Sequence, residues 1–593
     1  MAVNKIEVLG DLFNEKKLRV PSYQRAYAWE ETQLKQFVSD ILSIKEKEYY
    51  YGHFILEQNS DSFEIIDGQQ RITTFILFLM TCRSLGAKGT DKFIRQFQTV
   101  SYDQEAFEKI QINIYEDRTI LKEEFQTLSI KRILFALDYF NKLFTGSNES
   151  ELRLDTRKID EYIGVLVQAH ISTHITNNKA VAVQIFELQN TRGVKLNLIE
   201  KVKSKLMKTV YLFGQSEEND TLIKKIQDDF ADIYRYEETA NAHAFRGELT
   251  LEDILLHHLR IIDDGTKLEP KDKGLFNSPS KTGNREEAIL TYIDKQLFDK
   301  QNVVDYITNL VARFKITVEL ISNYLPKLDE QNRWIGDVFI LDKNLSLEFF
   351  ILLYHKAFQI SIESTEVVKL WELLLYTRDF HDKYYRQWYR DDFEGMYAKV
   401  TSLTQGNEVE NLLKGYIKEG FRKDLMENES LQETVLTYIQ NNEKNILNNA
   451  FYWWQEKMVY LLYKYEIEQK ANLTELRKIM KEGRSIEHTL PQEWKLEWIG
   501  EDDSNNLSDK GRTFREETGA IINGIGNLIL ITGSENSSQS NNHPKTKHYT
   551  SCSGGSYDAH NNNKEVWSKH ENWNQLILDR GKKLFTFLKL FIR

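Results

Sequence analysis

A chain of 593 residues exceeds one ordinary core and predicts roughly two to four domains, while a net charge of −11 excludes a protein that coats nucleic acid through bulk electrostatics. Its two cysteines, Cys82 and Cys552, stand far apart and form no CxxC pair, which excludes a disulfide scaffold and a cysteine-held structural zinc. No apolar run approaches the ~18 residues of a membrane span and the opening MAVNKIEVLGDLFNEKK lacks an apolar signal core, so no membrane is expected and the expected setting is cytoplasmic.

The chain is 41% hydrophobic, enough for packed domains, and its six prolines favour long helices. Three of them, Pro21, Pro491 and Pro544, fall in the segments that carry chemistry. The first such segment is VPSYQRAYAWE (Val20–Glu30), where Tyr23, Tyr27 and Trp29 alternate with Gln24 and Arg25. Aromatics beside a cation suit a stacked base, from a nucleotide or a flipped DNA base, and equally a hydrophobic staple. Next, FEIID (Phe63–Asp67) reads as a strand and Ile72–Leu85 as a buried helix, joined by a tight turn within IIDGQQRITTF. Gly68 permits close backbone approach, free amides at the helix start favour a phosphate, and Arg71 adds a forked cation. Asp67 suits Mg²⁺ or a helix cap, and Gln69 and Gln70 suit orienting water or a base. The plainer alternative is a turn, a cap and a solvated charge; the spacing is not a Walker motif. A helix over Ala180–Gln189 ends at Asn190-Thr191-Arg192-Gly193, and another starts at Asn197, where Glu200 completes a capping box.

Residues 213–442 read as a polar, helix-rich spacer or regulatory region, with helical spacing over Val367–Arg378 and Val409–Lys418. Exposed loops are expected at Asp263–Arg285 and Glu535–Asn563. The last domain opens on one long helix, Ile446–Gln469, with Trp453 and Trp454 as core.

Two segments then follow, SIEHTLPQEW (Ser485–Trp494) and GIGNLILITGSEN (Gly524–Asn536). Phosphodiester hydrolysis needs a base for water and a cation for the phosphate, and Glu487 with His488 divides those roles if a turn at Pro491 brings both into one site. Asn536 lies far enough beyond Asn527 for a strand, Leu528–Thr532, and a turn to return it. The tail from Asn541 to Arg593 holds nine Lys or Arg against four Asp or Glu, a modest basic footprint. Singly these pieces are ordinary: a surface dipeptide, a structural histidine, a turn asparagine. Their order resembles the HNH, or ββα-metal, nucleases. That resemblance implies His488 as general base, Glu487 and Asn536 as ligands of Mg²⁺ or Mn²⁺, and Asn527 as the residue that pins the loop and orients His488. It also implies Lys547, with Lys545 beside it, as the lysine near the scissile phosphate. The missing CxxC pairs and the final Asn in place of His resemble one branch of that superfamily, which also shows Tyr549 and the closing WNQLILDR helix with Trp573, Ile577 and Arg580. His543 and His548 read as loop histidines.

The two N-terminal motifs, with FELQNTRG (Phe186–Gly193) and the following Glu200, Lys201 and Lys203, resemble the GmrSD family of type IV restriction and anti-phage proteins. The resemblance implies an α+β, mainly helical protein: a ParB/sulfiredoxin-like nucleotide-binding or sensor domain over residues 1–212, a helical linker over 213–442 and an HNH endonuclease domain over 443–593. It further implies that Tyr23, Gln24, Arg25, Asp67, Gly68, Gln69, Gln70, Arg71, Asn190 and Arg192 form a site for GTP or another NTP, which is hydrolysed there. The expected activity is modification-dependent cleavage of double-stranded phage DNA, with a homodimer left open. The alternatives are a nucleotide-triggered defence nuclease without modification specificity, and a non-cutting ParB-like DNA-binding protein.

Overall fold

The apolar strand-turn-helix around Asp67 and Gly68 is the centre of the N-terminal part. A computed structural model of the protein describes residues 3–15, 17–43, 49–59, 61–112, 127–146, 153–176, 197–214, 219–242, 250–261, 285–299, 302–332, 334–378, 389–419, 430–453, 455–552 and 554–593. The expected helix over Ala180–Gln189, its Asn190–Gly193 end and the loop over Asp263–Arg285 lie outside the described residues, apart from Arg285, which begins a helix. The protein is mainly helical with a small mixed sheet and a separate strand pair, as an α+β reading requires. Among the described residues no helix is long and apolar enough to cross a membrane. The chain divides into two compact units, Met1–Ala244 with Leu249–Pro326, and Phe245–Glu248 with Lys327–Arg593. The division falls inside the segment read as a helical middle, so most of residues 213–326 pack with the first unit and the rest of that segment with the second.

Six strands form the first unit's sheet: β1 (Val3–Val8), β2 (Lys17–Arg19), β3 (Tyr50–Gln58), β4 (Ser62–Asp67), β5 (Phe97–Gln98) and β6 (His170–Thr176), in the order β1-β6-β3-β4-β2-β5. The β1–β6 and β3–β4 pairs are antiparallel and the others parallel. In β4, Phe63, Ile65 and Ile66 are all buried, so the strand is covered on both faces. The register of β3 against β4 shifts between Ile55 and Leu56, opposite Asp67. A bulge there bends the strand where the Asp67-Gly68 turn begins.

Helix α1 (Gln69–Ser84) follows directly, and its residues from Ile72 to Cys82 are buried all round. Such a helix is held by packing rather than by amphipathicity. It packs on α2 (Leu128–Thr145), with Phe78 edge-on to Phe37 and Phe140 and Phe75 edge-on to Phe93. Helix α3 (Leu198–Phe213) starts where expected: the Asn197 side chain accepts the Glu200 amide at 2.8 Å. It packs on α4 (Asn219–Ala242) and α5 (Val303–Glu319).

In the second unit, the two helical stretches read from the middle form, as Thr365–Arg378 and Glu408–Glu419. The single helix expected over Ile446–Gln469 is instead two, α6 (Glu443–Trp453) and α7 (Gln455–Glu468), and Asn449 inside α6 is non-helical at φ −145° and ψ 29°. The physical reason lies outside the helix, because the Phe451 amide donates to the Asn523 carbonyl at 3.0 Å. The Trp453 side chain and Trp454 lie outside the described residues. Helices α8 (Leu473–Glu482) and α9 (Asp509–Ile521) flank the first of two antiparallel strands, β7 (Arg484–His488) and β8 (Leu528–Thr532). Helix α10 (Gly533–Gln539) follows β8, and α11 (Trp573–Ile592) closes the chain. The stretch Glu535–Asn563, expected as an exposed loop, contains most of α10, a helix over Ser556–Asn562, and the buried Lys547, Tyr549, Tyr557 and His560. Its Ser, Asn and Gly content serves turns that wrap buried side chains.

Two neighbouring carboxyls of α4 carry a pH signature. Burial, reinforced by Glu238, pushes Glu237 up to about 8 from an ordinary 4.5. Burial also pushes Glu238 up to about 7, although it accepts the Ser129 amide at 2.8 Å at the start of α2. The unfolded chain releases these protons at about pH 4.5 while the folded one keeps them, so their contribution to stability is greatest below that value and falls as pH rises towards about 8. In urea titrations of the whole chain, the midpoint should therefore drop between about pH 5 and about pH 8. Glu237→Gln should flatten that drop, and an unchanged drop in the variant would refute the assignment.

Candidate active site

β7 and β8 run in register from Arg484↔Thr532 to His488↔Leu528. Alternation puts Ser485 and Glu487 on the same face of β7. Thr532 caps α10 by accepting the Glu535 amide at 3.2 Å. The helix then turns Asn536 towards that strand, where its Nδ2 donates to Ser485 Oγ (2.6 Å) and Ile486 O (3.3 Å). Engaging the nitrogen leaves the amide oxygen as the atom available to a cation.

Glu487 does not stand alone. Lys547 is fully buried, and its ammonium donates to the Glu487 carboxylate and, at 2.7 Å, to the His488 carbonyl. Burial drives the carboxyl up and the ammonium down, each towards its neutral form, and their mutual attraction opposes both shifts. The carboxylate also accepts the His488 amide. A carboxylate has about four acceptor positions, so room remains for a further partner.

His488 ends β7. Its ring lies 4.7 Å from that of Phe451, and its Nε2 sits 3.2 Å from Asn523 Oδ1. Burial pushes its pKa down to about 4, with Lys547 adding to the shift and Asn523 opposing it, so the ring is neutral near pH 7. The Glu487 carboxylate, the Asn536 amide and the Lys547 ammonium gather around β7, while the His488 ring turns to α6 and Asn523.

Beneath them Asn527 is completely buried. Its Oδ1 accepts the Leu490 amide, its Nδ2 donates to the Leu490 and Ile522 carbonyls, and its own carbonyl accepts the Thr489 amide, all at 2.8 Å. The turn after His488 is thereby held to the turn before β8. Gly526 is required there, because a Cβ would lie 1.8 Å from the Ile577 carbonyl of α11. Arg580, also on α11, donates to the carbonyls of Gly526 (3.0 Å) and Leu528 (2.7 Å). His543 packs against Trp498 and Trp573, and His548 is exposed.

The N-terminal residues also converge. Gly68 adopts φ 92°, and a Cβ on it would lie 2.2 Å from the Phe54 ring. Gly68, at the N-cap of α1, has no side chain to cap the helix, and the Asp67 carboxylate accepts the Gly68 amide. Gln24 donates to Ile66 O (3.0 Å), while Gln70 accepts the Ala28 amide (2.8 Å) and donates to Ala26 O (3.0 Å). These amides staple the Tyr23–Trp29 segment to the strand-turn-helix. Arg71 bonds His53 O at 2.8 Å, lies over Phe54, and faces Asp67 at 3.6 Å. Burial raises the Asp67 carboxyl, with Arg71 opposing. Arg25 reaches Glu200 at 3.4 Å, and Lys203 donates to Tyr23 O at 2.9 Å. Gln69 Oε1 is buried without a partner among the described residues. A cavity of about 450 Å³ opens beside Tyr23, lined by Arg19, Glu64, Lys224 and Asp228 among others; Asp67 to Arg71 do not line it. Asn190 and Arg192 lie outside the described residues.

Sequence reasoning missed Asn523 and Gln492. The run IINGIGN (Ile521–Asn527) offers two side-chain amides, Asn523 and Asn527, yet nothing in it says which one meets the histidine.

The first unit thus carries a mixed sheet with a stapled strand-turn-helix, and the second a strand-strand-helix that bears Glu487, His488 and Asn536. Residues 9–207 match the GmrSD restriction endonuclease N-terminal domain, and residues 437–584 match the GmrSD restriction endonucleases C-terminal domain. The chain belongs to the GmrSD restriction endonuclease family, which makes it a restriction-type nuclease acting on DNA. No curated protein matches it.

Asn527→Ala should cost at least about 3 kcal/mol, since it strands one buried amide and two buried carbonyls. Chemical denaturation of the variant checks this, and a loss under about 1 kcal/mol would show that the turn holds without the side chain.

Proposed function

We propose that this chain is a modification-dependent DNA endonuclease whose C-terminal domain is of the HNH type and whose N-terminal domain binds and hydrolyses GTP or another NTP. The observation that carries the nuclease part is the gathering of Glu487, Asn536 and Lys547 around one strand whose last residue is a neutral, buried histidine. His488 takes the proton of a water, Asn527 keeps its loop fixed, and Glu487 with Asn536 offers two oxygen donors. Among the described residues no three His, Cys, Asp or Glu side chains converge on a metal position. Two oxygen donors fit Mg²⁺ or Mn²⁺, because a hard cation of this kind binds through one or two protein oxygens and completes its shell with water and phosphate. When bound, such a cation neutralises charge on the phosphate and the leaving oxygen. Lys547, fully buried, acts through the Glu487 carboxylate that it holds in place.

For the N-terminal site, support comes from the left-handed Gly68 at the N-cap of α1, which has no capping side chain, and from the Gln69 oxygen, which has no partner among the described residues. Tyr23, Gln24, Gln70 and Arg71 shape that site by holding its walls together, and Asp67 faces it with Arg71 as counter-charge. Nucleotide there regulates cleavage.

Supercoiled plasmid and glucosylated or methylated phage DNA, incubated with Mg²⁺ or Mn²⁺ with and without GTP or ATP, test the proposal. Metal-dependent cleavage that falls at least about 100-fold in His488→Ala is expected, the loss typical of a missing general base. Equal cleavage of plain and modified DNA removes modification dependence, and indifference to nucleotide removes the regulatory role. No cleavage under any condition would overturn the HNH assignment.

A further inference from the structure

We infer that Asn523, outside the motif residues, is the positioning residue that sets the tautomer of His488. The inference rests on the reading of His488 as general base.

Asn523 is fixed on two sides. Its backbone carbonyl accepts the Phe451 amide at 3.0 Å, just after the non-helical Asn449. Its side-chain oxygen faces His488 Nε2 at 3.2 Å and Gln492 Nε2 at 2.6 Å. Gln492 Nε2 also donates to the Tyr452 hydroxyl at 3.1 Å, so the amide that aims at Asn523 is itself tethered. The bend in α6 thus delivers three things to one place: the Phe451 ring against the imidazole, the Phe451 amide that holds Asn523, and the Tyr452 hydroxyl that holds Gln492.

A side-chain carbonyl oxygen only accepts hydrogen bonds. Its contact with Nε2 therefore places the ring proton on Nε2 and leaves the lone pair on Nδ1. A general base needs that lone pair fixed on one nitrogen, because an imidazole in the wrong tautomer presents N–H to the water. With Asn523 in place, a water's O–H bond breaks and its proton passes to Nδ1. The oxygen forms the new P–O bond as the leaving oxygen departs with the electrons of the old one. Asn527, by contrast, commits its side chain to Leu490 and Ile522 and does not touch the ring. The two asparagines thus act in sequence on one histidine, Asn527 by fixing its loop and Asn523 by fixing its proton.

Two substitutions of similar size separate this role from packing. Asn523→Asp keeps an acceptor towards Nε2, whereas Asn523→Leu removes it. In the full chain, Asn523→Leu should lower kcat for DNA cleavage about 100-fold with little change in KM, and Asn523→Asp should stay within a few-fold of the unaltered protein. Thermal melting confirms that each variant is folded. Nitrogen NMR of selectively labelled histidine, with His488 assigned by loss of its signals in His488→Ala, reads the tautomer without any activity. Protonated Nε2 is expected in the unaltered protein and in Asn523→Asp, and exchange between tautomers in Asn523→Leu. A proton on Nδ1 in the unaltered protein overturns the inference, as does full kcat in Asn523→Leu or an equal loss in both variants. Full cleavage by His488→Ala overturns the base assignment and this inference together. An inactive His488→Ala beside an active Asn523→Leu overturns the inference alone.

Discussion

The side chain of Asn527 commits its hydrogen-bonding capacity to main-chain groups, and the geometry around β7 and β8 hangs from those bonds. One buried amide bridges the turn that follows His488 and the turn that precedes β8. Without it, β7 and β8 would still pair through five residues, but the loop carrying Leu490 and Pro491 would have no reason to fold back. The low-dielectric surroundings that strengthen these bonds also make them costly to leave unmade. The same constraint governs Gly526 and Arg580, which let α11 come close enough to bind the carbonyls flanking Asn527. An ion pair between Glu487 and Lys547 then sits on this rigid base, and rigidity is what a site needs if its dipoles are to be aimed before substrate arrives.

The N-terminal unit uses glutamines for a related purpose. Gln24 and Gln70 join the aromatic segment to the strand-turn-helix through main-chain groups, and Arg71 binds the carbonyl of His53 in β3. Residues that look like ligands in the sequence thus serve as fasteners between segments of the unit. A group can do both when it has several donors, as the arginine has, whereas an amide already bonded at both ends works by placing its neighbours.

What could be read from the sequence follows from how local its cause was. The strand Phe63–Asp67, the helix after Gly68 and the cap at Asn197 each announce themselves in a pattern that spans only neighbouring residues, and each is present. The return of Asn536 to β7 was legible because a strand and a turn are enough to bring it back. The break in α6 was not, since Asn449 looks like any other helix residue and the bond that bends the chain comes from Asn523, far along the sequence. The partner of His488 was hidden for the same reason. The stretch Glu535–Asn563 misled because small polar residues suit an exposed loop and also suit tight turns around a buried Lys547 and Tyr549.

The distribution of these fasteners along the chain has a consequence for biosynthesis. Glu487 and His488 leave the ribosome before Asn523, Asn527, Lys547 and Arg580, on which their placement depends. A nascent or truncated chain ending short of α11 carries Glu487 and His488 without all the parts that place them. Because domains tend to fold in the order they emerge, the six-stranded sheet and its helices fold before β7 meets its partners.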